Sequence, residues 1–139
     1  MFVGTFEHSL DDKGRVVLPS SFRRDFAEGG ILSLYDGCIA LWTPKEFEGF
    51  VQRLTEKVRE RQASPNAPRA LAATAARVKA DSQGRIGIPA RLREQAALAG
   101  EVVLIGVLDH VEIWSTDAWQ TVAAEADSSL SAAVKDLGI

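Results

Sequence analysis

The sequence predicts a mainly β protein with packed helices, an α+β fold in which one short unit occurs twice about a pseudo-two-fold axis. The first observation is an internal match: the 13 residues from Asp11 align with the 13 residues from Asp81 at a constant offset of 70. The second is the pattern within each copy, where short β-branched runs alternate with Gly and Pro turns and with helical apolar spacing. Because so short a unit cannot bury a good core alone, we expect the two copies to pair into one barrel-like core.

The matched segment combines a tight turn, a short strand and the start of a helix. Identical residues occupy positions 11/81 (Asp), 14/84 (Gly), 15/85 (Arg), 19/89 (Pro) and 23/93 (Arg), and apolar residues match at 16/86, 18/88 and 22/92. Downstream, Trp42 and Trp114 each end a β-type run and precede a helix-type stretch. We therefore divide the chain into a first unit (residues 1–62), a connector with a short Ala-rich helix (residues 63–77) and a second unit (residues 78–139).

Local signals predict the elements of the first unit. The expected order is strands at residues 5–10 and 15–18, a helix at residues 19–26, a hairpin of residues 31–34 and 38–42, and a helix after residue 43. Gly14 can supply the positive φ of a tight turn. Pro19 ends its strand because it has no N–H for a ladder, and it suits the first turn of a helix. Thr43 and Glu46 have the spacing of a capping box.

The second unit repeats this order. We expect a strand at residues 86–88, a helix at residues 89–97, a hairpin of residues 102–107 and 110–114, and a last helix with the apolar stripe Trp119, Val122, Ala123 and Ala126. Ser115 or Thr116 is the expected N-cap of that helix. We expect the segment after Trp119 to be short and to fold back on the body. Prolines at 65 and 68 mark the connector, with its helix near residues 69–77.

Composition narrows the class of protein but not its function. An apolar fraction of 46% and a charged fraction of 25% are ordinary for a globular domain, and no apolar run approaches the roughly 18 residues of a membrane span. Cys38 is the only cysteine, which excludes an internal disulfide and fits a reducing cytosol. The net charge of −3 arises in residues 117–139, which contain four acidic residues and one lysine. The net charge of residues 1–116 is therefore zero. A neutral body can still present a basic face to phosphate.

The repeated turn can act as a DNA-reading device. Arg15 and Arg85 follow directly after Gly14 and Gly84, so each guanidinium would project from a rigid hairpin tip. Arginine is the best side chain for bidentate contacts to guanine or phosphate. Asp11 and Asp81 can pair with these arginines and hold their rotamers, and the two tips carry Lys13 and Gln83. We expect Arg23 and Arg93, on the helices that follow, to add positive charge to the DNA-binding surface. The remaining interpretation is a mere hairpin turn closed by a surface ion pair, which adds little stability.

The paired motif, together with the opening Met1-Phe2-Val3-Gly4 and the run Val111-Glu112-Ile113-Trp114, resembles the MraZ family over essentially the whole chain. The resemblance implies a bacterial transcriptional regulator that acts at the promoter of the division and cell-wall gene cluster containing its own gene. It implies a tandem-duplicated AbrB/MazE-type swapped-hairpin β-barrel and an oligomeric ring that binds short direct repeats in double-stranded DNA. It also implies DNA contact by Asp11 with Arg15 and by Asp81 with Arg85. Gln83, in place of a basic tip residue, departs from the family pattern.

Other candidate sites carry no chemistry that we can assign. His8 and His110, with one cysteine, form no metal-binding pattern, and we expect both histidines on the surface. No catalytic constellation is recognisable, so we expect no enzyme, cofactor, metal or small-molecule substrate. We expect the three tryptophans to anchor the core or an interface. The apolar N-terminal residues 1–6 either dock on a neighbouring subunit or cover their own core.

Two functions remain open at the level of sequence. The first is a cytoplasmic, nucleoid-associated repressor that reads promoter DNA. The second is an antitoxin-like protein-interaction module of the same fold. A pure antitoxin would carry a long disordered tail, whereas we expect a helix here. No membrane partner is expected.

Overall fold

A computed structural model describes all 139 residues and contains eight strands and five helices. The strands are β1 (Thr5–Ser9), β2 (Arg15–Val17), β3 (Gly30–Leu34), β4 (Ile39–Trp42), β5 (Ala76–Val78), β6 (Arg85–Gly87), β7 (Glu101–Val107) and β8 (His110–Ser115). The helices are α1 (Ser20–Arg23), continued by a 3-10 turn (Arg24–Phe26), α2 (Pro44–Arg59), α3 (Asn66–Thr74), α4 (Ala90–Gln95) and α5 (Thr116–Leu137). The α+β class expected from the sequence is confirmed, but the expectation of a mainly β protein is wrong, because the helices hold more residues than the strands.

Six strands form one antiparallel sheet in the order β1-β7-β8-β4-β3-β5. Strand pairs join the two units within it, because β1 of the first unit pairs with β7 of the second, and β5, at the junction of the connector and the second unit, pairs with β3 of the first. Hairpins β3–β4 and β7–β8 meet at the centre through the β4–β8 pairing. The sheet is therefore assembled from both units, and neither unit forms its half alone.

The closed barrel expected from the sequence is not observed. Strands β1 and β5 lie at the two edges of the sheet, and β2 and β6 pair only with each other. Each of these last two strands has three residues and is followed, after one residue, by Pro19 or Pro89. Since proline cannot donate to a ladder, the β2–β6 pair stays a separate short ribbon and does not extend to join the sheet edges.

The core lies between this ribbon and the sheet. It contains 17 buried apolar residues drawn from both units, among them the equivalent pairs Val16 and Ile86, Leu18 and Ile88, and Phe22 and Leu92. Phe2 is 4% exposed and stacks on Phe26 at 5.2 Å between ring centroids. The N-terminal residues thus cover their own core, which was one of the two alternatives left open by the sequence.

The helix ends follow local sequence signals. Thr43 Oγ1 accepts a hydrogen bond from the Glu46 N–H at 3.3 Å, and Ser115 Oγ accepts one from the Ala118 N–H at 3.1 Å. The last helix is longer than expected and does not fold back, since it runs to Leu137 with that side chain 72% exposed. None of the helices combines the length and apolar character needed to cross a bilayer.

The expectation that both histidines lie on the surface is wrong for His110. His8 is half-buried on β1, whereas His110 is only 5% exposed and stacks on Trp42 at 4.6 Å between ring centroids. Its two ring nitrogens contact Asp109 Oδ1 at 2.7 Å and Glu112 Oε2 at 2.8 Å. The imidazole can be buried here because both of its polar atoms have partners.

Candidate nucleic-acid interface

The β2–β6 ribbon presents one outward face and buries the other. Its register pairs Arg15 with Gly87, Val16 with Ile86, and Val17 with Arg85. Because side chains alternate along a strand and opposed pairs share a face, Val16 and Ile86 point together into the core, where each is 1% exposed. Both arginines therefore lie on the outer face. They occupy diagonal positions, a relation that places Cα atoms roughly 7–8 Å apart.

The first turn, residues 11–15, is organised around one carboxylate. Asp11 Oδ1 accepts hydrogen bonds from the backbone N–H groups of Lys13 and Arg15, both at 2.9 Å, and Oδ2 accepts one from Arg15 Nε at 2.7 Å. Gly14 adopts the left-handed conformation with φ of 74°. The aspartate thus closes the turn and fixes the guanidinium at the same time, as its spacing predicts.

The second turn, residues 81–85, has the same geometry. Asp81 Oδ1 accepts from the N–H groups of Gln83 and Arg85 at 2.9 Å, and Oδ2 accepts from Arg85 Nε at 2.8 Å. Gly84 has φ of 78°. Identical hydrogen bonding in two turns that differ at their tips means that the shared Asp, Gly and Arg determine the conformation.

These contacts hold both aspartates in the charged form. The backbone N–H of Arg15 is the main cause that lowers the pKa of Asp11 from its ordinary value, with further contributions from the Arg15 side chain and the Lys13 N–H. The pKa of Asp81 is lowered in the same way by Arg85 and Gln83. Each carboxylate is therefore ionised at neutral pH and neutralises part of the charge of its arginine.

Each arginine keeps most of its hydrogen-bonding capacity. Only Nε is used in each ion pair, so the two Nη groups of Arg15 and Arg85 have no partner within the chain. The side chains are 29% and 26% exposed. A guanidinium held at Nε and open at both Nη groups presents the planar fork that suits the acceptor edge of guanine or a phosphate.

The tip residues differ between the two turns. Lys13 and Gln83 are both exposed, but only the first is charged. Beside the second turn, Lys79 and Arg23 line a small cleft together with Asp81 and Ser82. Positive charge is therefore present near the second tip as well, supplied by a strand-end lysine that the alignment of the two copies did not bring out.

The structure places Arg23 and Arg93 against the turns, but each on the turn of the other unit. Arg93 lies over Gly14, and Arg23 lies over Gly84. Both glycines are buried beneath these side chains although they sit at turn tips. Sequence reasoning grouped the two arginines with the turns but missed the crossing, because only the β2–β6 register brings each one to the opposite unit.

A second surface of the molecule is apolar. A groove of about 600 Å³ lies between α2, α3 and β5, with Phe47, Val51, Leu54 and Leu71 among its lining residues. Separately, α5 exposes Leu130 (66%), Val134 (46%) and Leu137 (72%). These residues continue the stripe that begins at Trp119 along one helix face. Neither apolar surface is covered within the chain.

Comparison with known proteins places the whole chain in one group. The family model described as "MraZ protein, putative antitoxin-like" matches twice, over residues 1–67 and 71–137. A protein named Transcriptional regulator MraZ from Mycoplasmoides gallisepticum is 38% identical over 121 residues, covering 86% of this chain and 85% of the relative. Proteins of the same name from Natranaerobius thermophilus and Corynebacterium glutamicum are 38% and 37% identical, covering 93% and 99% of this chain and 91% and 96% of the relatives.

Proposed function

The chain belongs to the MraZ family, and from this premise we propose that it is a sequence-specific DNA-binding transcriptional regulator. It represses the promoter of the bacterial division and cell-wall gene cluster that includes its own gene, and it acts in the cytoplasm at the nucleoid. The observation that carries the proposal is the β2–β6 ribbon, whose outer face holds two aspartate-fixed arginines with open Nη groups.

The ribbon has the dimensions and chemistry of a major-groove reader. A two-stranded β-ribbon fits a groove that is about 12 Å wide in B-DNA. Arg15 and Arg85 read guanine edges, and Asp11 and Asp81 hold their rotamers so that little side-chain entropy is lost on binding. Lys13 contacts phosphate, Gln83 offers hydrogen bonds, and Gly14 and Gly84 keep the tips narrow. The pairing of β1 with β7 and of β5 with β3 supports a relationship to the AbrB/MazE swapped-hairpin fold, although the barrel is not closed.

Function requires several ribbons acting together. With a net charge of −3, a single chain attracts DNA weakly, whereas an oligomeric ring adds the fields and the avidity of many ribbons. The exposed apolar face of α5 and the uncovered groove between α2 and α3 support self-association. Such a ring binds short direct repeats spaced by about one helical turn, so that neighbouring subunits meet the same face of DNA.

The alternative is an antitoxin-like protein-interaction module. The same apolar groove and the exposed face of α5 favour it, because uncovered apolar surfaces mark sites of protein contact. Under this alternative, substitutions on the ribbon leave the biological activity intact while substitutions in the groove remove it.

Titration of labelled promoter DNA tests the proposal. We expect Arg15→Ala and Arg85→Ala each to weaken binding by about 1–3 kcal/mol, and the double variant to weaken it further. Arg59→Ala is the control, since it removes the same charge from an exposed position on α2. A double variant that is folded and binds with unchanged affinity contradicts the proposal. Binding to tandem repeats must also weaken steeply with salt.

A further inference from the structure

We propose that Arg23 and Arg93 are positioning residues that brace the DNA-contacting turns across the two units. Arg93, on α4 of the second unit, holds the first turn, and Arg23, on α1 of the first unit, holds the second. Their effect on DNA binding rests on the function proposed above, but the bracing itself is a property of the free protein.

Two successive hydrogen bonds connect Arg93 to the first turn. Arg93 Nη1 donates to the Ile88 carbonyl at 2.6 Å, and the Ile88 N–H donates to the Gly14 carbonyl at 3.0 Å. The guanidinium lies so close over Gly14 that a Cβ at this position would overlap with it. The arginine therefore covers the turn and is tied to the strand residue that hydrogen-bonds it.

Two equivalent hydrogen bonds connect Arg23, in the first unit, to the turn of the second unit. Arg23 Nε donates to the Leu18 carbonyl at 2.9 Å, and the Leu18 N–H donates to the Gly84 carbonyl at 2.8 Å. A Cβ at Gly84 would lie 2.5 Å from the Arg23 Cζ. The same series of hydrogen bonds therefore occurs twice, in different strands and helices. This repetition shows that the arrangement follows from the repeated sequence.

The crossing has a physical cause and a consequence. Because β2 and β6 run antiparallel, the end of each strand lies beside the turn that precedes the other strand. The helices that follow Pro19 and Pro89 begin at these strand ends, so each helix lies next to the turn of the opposite unit. Each turn is thus held by the opposite unit. The two turns and the ribbon then move as one body, which keeps the spacing between Arg15 and Arg85 constant.

This role differs from simple phosphate contact in what it predicts for the protein without DNA. If Arg23 and Arg93 act only on phosphate, their removal leaves the turns unchanged. If they brace the turns, removal of Arg23 loosens residues 81–85 and leaves residues 11–15 protected, and removal of Arg93 does the reverse. The crossed pattern is specific, since general destabilisation would affect both turns equally.

Amide hydrogen exchange on the full-length protein measures this pattern. The reporters are the N–H groups of Gly14 and Arg15, which donate to Asp11, and those of Gly84 and Arg85, which donate to Asp81. In Arg23→Ala we expect exchange at the second pair to rise about tenfold, the effect of weakening one hydrogen-bonded contact, with the first pair unchanged. In Arg93→Ala we expect the opposite.

Two further sets of variants keep the outcome decisive. Arg24→Ala and Arg91→Ala remove exposed charges from the same helical segments and must leave both turns protected. Arg23→Lys and Arg93→Lys keep the charge but lose the planar group, so they must fail to restore protection if bracing is correct. Loosening of the same unit's turn, of both turns equally, or of neither would overturn the proposal.

A double-mutant cycle on promoter DNA separates this proposal from the function it rests on. We expect Arg23→Ala to be non-additive with Arg85→Ala and additive with Arg15→Ala, because it disturbs only the second turn. Equal additivity with both would overturn the role of Arg23 in DNA binding. If the wild-type protein fails to bind promoter DNA, the proposed function fails, while the exchange pattern still decides whether the braces exist.

Discussion

In the proposed DNA interface, the aspartate of each turn opposes the attraction of phosphate, since its carboxylate lies beside the arginine. Its three hydrogen bonds explain its presence in geometric terms, because the same carboxylate closes the turn and holds Arg Nε. A surface ion pair alone would not require the two backbone contacts. At the scale of the residue, the aspartate therefore orients the arginine, and in the proposed DNA complex this orientation lowers the entropy lost on binding.

Removal of this carboxylate tests the geometric role by the sign of its effect. Asp81→Ala removes negative charge from the interface, yet we expect DNA affinity to fall several-fold because Arg85 loses its fixed rotamer. Asp12→Ala, at an exposed aspartate of the first turn whose side chain accepts no hydrogen bond within the chain, is the control and is expected to leave affinity equal or slightly higher. Tighter binding by Asp81→Ala, measured on the same DNA fragment, contradicts the geometric role.

Two separate structural features require glycine at the tip of the first turn. We expect Gly14→Ala to lower the free energy of unfolding through its left-handed φ of 74°, at about 1–2 kcal/mol, and further through overlap with Arg93. Gly100 has a similar φ of 66° with nothing within 4 Å, so Gly100→Ala carries the first cost alone. Urea unfolding should show the larger loss at Gly14, and Arg93→Ala should remove the difference. Equal losses in the two alanine variants would contradict the overlap.

The buried histidine makes stability depend on pH in a defined direction. Burial lowers the pKa of His110, but hydrogen bonds and charges from Glu112 and Asp109 outweigh burial and raise the pKa above its ordinary 6.5. Its contribution to stability is therefore complete below pH 6.5 and is lost as pH rises through the folded-state pKa. We expect thermal unfolding to show this loss in the wild type and in His8→Gln but not in His110→Gln. An unchanged loss in His110→Gln would contradict the assignment.

At the scale of the element, sequence patterns predicted what depends on neighbours along the chain. Turns at Gly14 and Gly84, the strand ends at Pro19 and Pro89, and the helix start at Thr43 have local causes, and the elements form there. The burial of His110 was missed because Trp42 reaches it from another strand through the β4–β8 pairing. The prediction of a closed barrel was wrong because closure depends on pairing between the edge strands, which a local sequence pattern does not determine. The exposure of the C-terminal part of α5 was not predicted, because an apolar stripe on a helix does not show whether another part of the chain covers it.

At the scale of the whole molecule, charge and assembly are linked. A chain with net charge −3 gains little from one ribbon, so the proposed regulator needs an array. In the proposed ring, the exposed face of α5 and the uncovered groove take part in assembly and not in DNA contact. Affinity for one repeat and affinity for tandem repeats should therefore respond to different substitutions.

Charge placed on the α5 face tests this separation. We expect Leu130→Glu combined with Val134→Glu to reduce the oligomer size measured by light scattering, since a carboxylate in an apolar contact is costly to bury. Binding to tandem repeats should weaken, while binding to one repeat stays the same. Ser128→Glu, at another exposed position on α5, is the control. An unchanged oligomer in the double variant shows that this face takes no part in assembly.

In the proposed function the guanidinium groups of Arg15 and Arg85 on the β2–β6 ribbon read bases, and a substitution that keeps the charge but removes the planar group tests this role. The measurement compares the affinity of wild-type protein and of the Arg15→Lys, Arg85→Lys double variant for the promoter fragment and for a scrambled fragment of equal length at one salt concentration. We predict that the double variant keeps its affinity for scrambled DNA and loses most of its preference for the promoter, because lysine retains phosphate attraction without bidentate contact. A double variant that keeps the full promoter preference would contradict the claim.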